Sequence, residues 1–281
     1  MKLYTIDTGF FKLDGGAMFG VVPKSIWNKL NPADENNMCT WAMRCLLVEE
    51  GNRLVLIDNG MGEKQSEKFF SYYFPHGDDT LIKSLAKHGF TPEDVTDVFL
   101  THLHFDHCGG SVKWNKERTG YELTFPNATC WSNEKHWQAA VNPNARERAS
   151  FLKENILPIQ ETGKLKFISE GEELFPGFKS FFVYGHTEAM KLPQISFNGK
   201  TLVYMADLIP SVGHIPVPYV MAYDMQPLVT LQEKKIFLER AVKENYILFF
   251  EHDKINECCT LKMTERGVRE DAVMKLSDIQ F

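Results

Sequence analysis

The sequence predicts an α/β fold layered as a sandwich, and three observations carry that expectation. Apolar, β-prone runs alternate with helix-period stretches along the whole of the 281 residues. Several of those runs stop abruptly at His- or Asp-bearing turns, as strands do when their ends support a polar site. No internal repeat or low-complexity tract interrupts the alternation, and the length suits one large domain, so a single domain over residues 1–281 is expected.

In chain order, residues 8–18 are glycine-rich, and Val22-Pro23-Lys24-Ser25-Ile26-Trp27 opens a short helix or loop. Residues 42–48 and 54–57 read as a hairpin across Glu50-Gly51-Asn52. Asp78-Asp79 caps a helix that runs to His88, with Leu81, Leu85 and Ala86 as its apolar stripe and Gly89 as its stop. Residues 95–100 form a strand. Residues 132–140 and 145–156 read as helices, the second amphipathic through Phe151, Leu152 and Ile156. Three further β-prone runs follow at 181–184, 201–205 and 246–250. The stretch 208–224 between the last two is long, Pro-containing and aromatic, as a site cover is. Thr230-Leu231-Gln232-Glu233 matches a capping box that opens a helix to about Asn245. Residues 257–263 and 268–276 close the chain as a pair of strands.

Composition narrows the class. A formal charge of −6 argues against a nucleic-acid partner, for which a basic patch is expected. No apolar run is long enough to span a bilayer, and the opening Met1-Lys2-Leu3-Tyr4-Thr5-Ile6 lacks the pattern of a signal peptide, so a cytoplasmic enzyme with no membrane partner is expected. The six cysteines, Cys39, Cys45, Cys108, Cys130, Cys258 and Cys259, form no CxxC pair and read as reduced thiols.

The chemistry sits in Thr101-His102-Leu103-His104-Phe105-Asp106-His107, three imidazoles and a carboxylate within six residues, directly after an apolar run. On an extended backbone alternate side chains share a face, so His102 and His104 point together while Leu103 turns inward. The chain must then bend to present Asp106 and His107, whose polar tips are costly to bury without partners. Imidazole and carboxylate together select a borderline or hard divalent ion. Isolated histidines such as His88 and His136 read instead as satisfied structural residues, and Cys108 as a neighbour of the site, not a ligand. Read one at a time, Asp207 also admits the lesser reading of a turn or cap residue and His252 that of a surface histidine.

His102-x-His104-x-Asp106-His107 resembles the signature of the metallo-β-lactamase superfamily, and the resemblance covers nearly the whole chain. Residues 54–60 look like that family's strand ending in Asp and a Gly turn; Tyr184-Gly185-His186-Thr187, Met205-Ala206-Asp207 and Phe250-Glu251-His252-Asp253 look like its later motifs, in the same order. The resemblance implies a four-layer αββα sandwich. It implies two divalent metal ions, zinc first among them with iron, manganese and cobalt as alternatives. His102, His104 and His186 would hold one ion and Asp106, His107 and His252 the other, with Asp207 bridging. Asp58 would orient a ligand imidazole or hold the Gly60 turn. Two such ions sharing a water lower its pKa to about 7, giving a bridging hydroxide that cleaves an ester, lactone or phosphoester, with Asp106 and Asp207 as the catalytic carboxylates.

Residues 14–23 and their spacing to the metal loop are similar to the branch that holds N-acyl homoserine lactonases and methyl parathion hydrolases. Met18, Phe19 and Trp27 then line an acyl or aryl pocket or belong to the core. Two departures stand out. Glu188-Ala189-Met190 follows the third motif where many members have Pro-Gly-His, and Pro210 occupies the position where the homoserine lactonases place a tyrosine, leaving Tyr219, Tyr223 or His214 as proton donors. The alternatives are a mononuclear-iron oxidoreductase of the persulfide dioxygenase type, a thioester hydrolase of the glyoxalase II type, and a binding protein with a vestigial site. The expected partner is a small-molecule substrate, and the sequence leaves room for a homodimer.

Overall fold

A computed structural model describes residues 1–279. The chain divides into two compact units: Met1–Gly9 with Met43–Ser169, and Phe10–Ala42 with Glu170–Phe281. It passes between them along two long strands, Lys2–Asp14 and Met38–Glu50.

The first unit is organised on the strand order Lys2–Asp14, Met38–Glu50, Arg53–Ile57, Asp97–Phe99, Thr129–Ser132, Leu165–Phe167. Met38–Glu50 and Arg53–Ile57 form the expected hairpin, with Gly51 at φ +59 in its turn. The next three pairings are parallel. Parallel neighbours need crossovers, and helices Leu81–Lys87, Glu134–Val141 and Lys153–Glu161 lie in the connections. Buried between helices and sheet are Leu47, Leu56, Val98, Leu100, Leu103, Phe125, Trp137, Ile156 and Ile159. Strand Arg53–Ile57 is buried at four of its five positions, as the near-continuous apolar runs of parallel sheets are.

The second unit is a seven-stranded sheet in the order Gly267–Met274, Cys258–Thr264, Ile247–Phe249, Lys200–Tyr204, Met190–Phe197, Phe178–Val183, Glu173–Phe175. Every pairing is antiparallel except that of Lys200–Tyr204 with Ile247–Phe249, and the 17-residue helix Pro227–Lys243 lies in that connection.

Five elements depart from the sequence expectations. The helix expected to be capped by Asp78-Asp79 is Leu81–Lys87, capped instead by Thr80, whose hydroxyl oxygen accepts the Lys83 amide. The helix expected at 145–156 lies at Lys153–Glu161, because Asn144 Oδ1 accepts from the Arg146 and Glu147 amides and turns the chain, and Leu152 is extended. Ser132 ends a strand, and the helix after it starts only at Glu134, capped by Asn133. The long helix starts at Pro227, three residues before the capping-box match, since proline is preorganised for the first helical position. Thr230 therefore lies inside it. The glycine-rich N-terminus is a 13-residue strand that accommodates Gly9 at φ +101. No helix among the described residues is long and apolar enough to cross a membrane.

Candidate metal centre

In the first unit the polar cluster forms where strand Asp97–Phe99 ends and the one-turn helix Phe105–Cys108 begins. His102, His104, Asp106 and His107 are all buried, and Leu103 joins the core as the alternation requires. Asp58 ends the neighbouring strand with a left-handed backbone, φ +55, which turns its carboxylate under the loop. There it accepts from the Thr101 amide (2.7 Å), the Thr101 hydroxyl (2.6 Å) and His107 Nδ1 (3.1 Å). Thr101 spends its proton on Asp58, so its oxygen accepts from His102 Nδ1 at 3.0 Å. Both imidazoles thus carry their proton on Nδ1 and keep the Nε2 lone pair available. His102 Nε2 lies 3.0 Å from His104 Nδ1, while His104 Nε2 faces Glu147 at 3.5 Å. The His102 Nε2 lone pair at that distance is met either by a proton on His104 Nδ1 or by a cation shared between the two rings.

The loop is held from beneath. His136 Nε2 accepts the Leu103 amide at 2.8 Å. A Cβ on Gly109 would lie 2.1 Å from the Met61 carbonyl, so only glycine lets the segment after the helix pack this closely. Lys64 Nζ donates to the Gly109 carbonyl, and burial lowers its pKa to about 8.

In the second unit three separate strand ends deliver His186, Asp207 and His252, all buried. Ala206, at φ +39, bends the chain out of strand Lys200–Tyr204 and presents Asp207. One carboxylate oxygen of Asp207 lies 3.0 Å from His186 Nε2 and the other 3.1 Å from His252 Nε2. The opposite nitrogens are committed: His186 Nδ1 donates to Asp224 (2.8 Å) and His252 Nδ1 to the Ala42 carbonyl (2.8 Å). In a neutral ring each Nε2 lone pair would then face carboxylate oxygen, an arrangement that calls for a proton or a metal cation between them. The same demand shows in His186: burial alone would lower its pKa, but Asp207 and Asp224 outweigh burial and raise it to about 10.

Both sets offer imidazole nitrogen and carboxylate oxygen, the donors that suit divalent metal ions. The sequence profile of the metallo-beta-lactamase superfamily matches residues 44–252. The chain belongs to that superfamily. An N-acyl homoserine lactonase of Bacillus cereus is 27% identical over 265 residues, covering 90% of this chain and 93% of its own. Among solved structures, a probable metal-dependent hydrolase from Staphylococcus aureus aligns with a TM-score of 0.89 at 29% identity, over 97% of this chain and 96% of that one. AidC, a dizinc quorum-quenching lactonase in complex with a homoserine product, aligns with a TM-score of 0.79 at 25% identity, over 97% and 95%. The metallo-β-lactamase fold expected from the sequence is the fold of this chain.

Several residues of this superfamily member have roles that its motifs alone do not announce. Asp224, read only as the end of a loop, holds His186. Glu233 on the long helix accepts the Tyr184 and Gly185 amides at 2.7 and 3.1 Å, fixing the turn before His186. Gly185 packs against Thr230, where a Cβ would meet the hydroxyl at 2.2 Å. His136 and Glu147 were legible only as ordinary polar residues. Met18, Phe19 and Trp27 are core: Phe19 stacks on Trp27 and on His214, with ring centroids 5.6 and 4.4 Å apart. His214 is enclosed in the same core. Burial pushes its pKa down to about 3, and its two nitrogens are engaged by Ser211 Oγ and the Met18 carbonyl. Pro210 is buried and brings no hydroxyl. Cys108 is a buried thiol donating to the Leu103 carbonyl, its pKa pushed up to about 12 by burial.

Proposed function

We propose that the two units form one domain holding two divalent metal ions, zinc foremost, and that the protein is a cytoplasmic metal-dependent hydrolase of a small-molecule lactone or ester. His102, His104 and His186 serve one ion, Asp106, His107 and His252 the other, and Asp207 is shared. The observation that carries this reading is the Asp207 carboxylate, which offers one oxygen beside each of two imidazoles whose remaining nitrogens are already committed. A residue serving a single ion has no need of that symmetry.

When bound, the ions supply Lewis acidity and acidify a water molecule toward neutral pH. The chain's own residues do the rest. Asp58 and Asp224 set the tautomers of His107 and His186, so that Nε2 faces the centre. Asp207 and Asp106 orient the nucleophile through their carboxylate oxygens and carry a proton to the leaving group. The lactone assignment rests on the relatives, of which the Bacillus cereus protein is named an N-acyl homoserine lactonase.

The test is elemental analysis of protein purified without added metal, together with turnover of an acylated γ-lactone, an aryl ester, a glutathione thioester and a phosphotriester. Two metals per chain and lactone or ester cleavage lost on His104→Ala support the proposal. One iron per chain with no hydrolysis overturns it in favour of iron-dependent oxidation, and preferential cleavage of the thioester or phosphotriester overturns the substrate class.

A further inference from the structure

The second unit contains a cavity of about 400 Å³ whose lining includes none of His186, Asp207 and His252. Its walls are of two kinds. Trp41, Leu30 and Tyr219 supply an apolar and aromatic side, and the Leu30 side chain remains half exposed at 50%. Arg266 and Arg269, from the hairpin formed by Cys258–Thr264 and Gly267–Met274, supply a cationic side together with Lys254.

The charges are not balanced from within. Among the described residues neither Arg266 nor Arg269 has a carboxylate within ion-pair distance; the one side-chain bond of this pair runs from Arg269 to the Val268 carbonyl. Two carboxylates also border the cavity. Asp253 is occupied, accepting from the backbone amides of Val212, Ile255 and Asn256. Those amides are neutral and leave its charge in place, so the lining carries three cations, Lys254, Arg266 and Arg269, against two carboxylates, Asp253 and Glu270. Within the apolar wall, the Trp41 indole N–H is enclosed and has no acceptor among the described residues.

We propose that this cavity is a second binding site, separate from the metal donors, for a small organic anion: a carboxylate carrying an aromatic or short aliphatic body. The guanidinium fork matches a carboxylate in two-point geometry, and charge-assisted bonds of this kind are the strong ones. The volume falls in the range of small-molecule pockets, and the mix of apolar wall and few convergent polar groups is what such sites show. Ligand seated there would touch the turn that follows His252, since Asp253 and Lys254 line the same space.

Isothermal titration of the metal-loaded protein with 4-phenylbutyrate tests the proposal, with the neutral 4-phenyl-1-butanol as its control. Saturable binding of the acid is expected, weakened about tenfold or more in the Arg266→Gln/Arg269→Gln variant, with the alcohol far weaker than the acid on wild type. Both arginines are at least partly exposed on a hairpin, so the variant keeps the wild-type melting temperature. Equal affinity of wild type and variant would show that the carboxylate goes elsewhere, such as the metal centre, and overturns the site. So does equal binding of acid and alcohol, or the absence of saturable binding to wild type at millimolar acid.

Discussion

The two units carry their donor sets in opposite ways. In the first, four donors lie within six residues, and their supports, Asp58, Thr101 and His136, come from the same compact unit. In the second, three donors are spread from residue 186 to residue 252, and each relies on a partner supplied by the fold: Asp224, the Ala42 carbonyl, and the left-handed turn at Ala206. A local motif carries its own geometry, whereas a dispersed set has none until a sheet has formed. The first is therefore robust to changes in the scaffold and the second is sensitive to them.

The strongest way to break this comparison is to ask whether either set works alone. His104→Ala and His186→Ala should each lower kcat/KM by on the order of 10³, and the double variant should be little worse than either single one, because residues acting on one centre are not additive. Additive losses, or a single variant that keeps most activity, would show that the sets are independent.

Supports come next. Asp224→Asn should lower metal affinity and activity about 10–100-fold with little change in melting temperature. Asp58→Ala should show a comparable loss of metal affinity and, in addition, a destabilisation of about 3 kcal/mol, since it strands the buried Thr101 donors. Denaturant titrations of the two variants side by side separate them; equal stability would contradict the tighter local wiring of the first unit.

A smaller effect is expected at Glu233→Gln, which weakens the bonds to the Tyr184 and Gly185 amides: about a tenfold fall in activity by displacement of His186, read as kcat against KM. The smallest concerns Asp97, remote from both donor sets. Burial alone would raise its pKa, but Arg53, Trp131 and Thr96 hold it below the ordinary carboxyl value. A depressed folded-state pKa adds stability above the unfolded value of about 4 and loses it as pH falls through the folded one. Asp97→Asn should therefore flatten the acid side of the stability profile and leave metal binding unchanged; a shift in metal affinity would count against its separation from the site.

The same contrast explains what was legible in the sequence. The hairpin at 42–57, the strand before the metal loop and the strands that deliver the later motifs are long-range features with strong local period, and they appear where expected. The donors were legible because each closes an apolar run. Asp224, Glu233 and Glu147 were not, since a carboxylate on a loop or helix surface reads the same whether it meets solvent, an imidazole 38 residues away or an amide 48 residues away. The misplaced helix at 145–156 failed for a different reason: its apolar spacing is real, but Asn144 closes a turn that the spacing does not encode.

Lys234 and Glu233 are consecutive on the long helix, yet they face different tasks. Lys234 is fully buried and donates to the carbonyls of His214, Pro216 and Tyr219, while Glu233 grips the two amides ahead of His186. One helical turn thus fastens both the 208–224 loop and the third-motif turn. For anyone recombining parts among such enzymes, the transferable cassette is the helix with its two tethered segments; a loop transplanted without the helix arrives with nothing to fasten it, and His186 drifts with it.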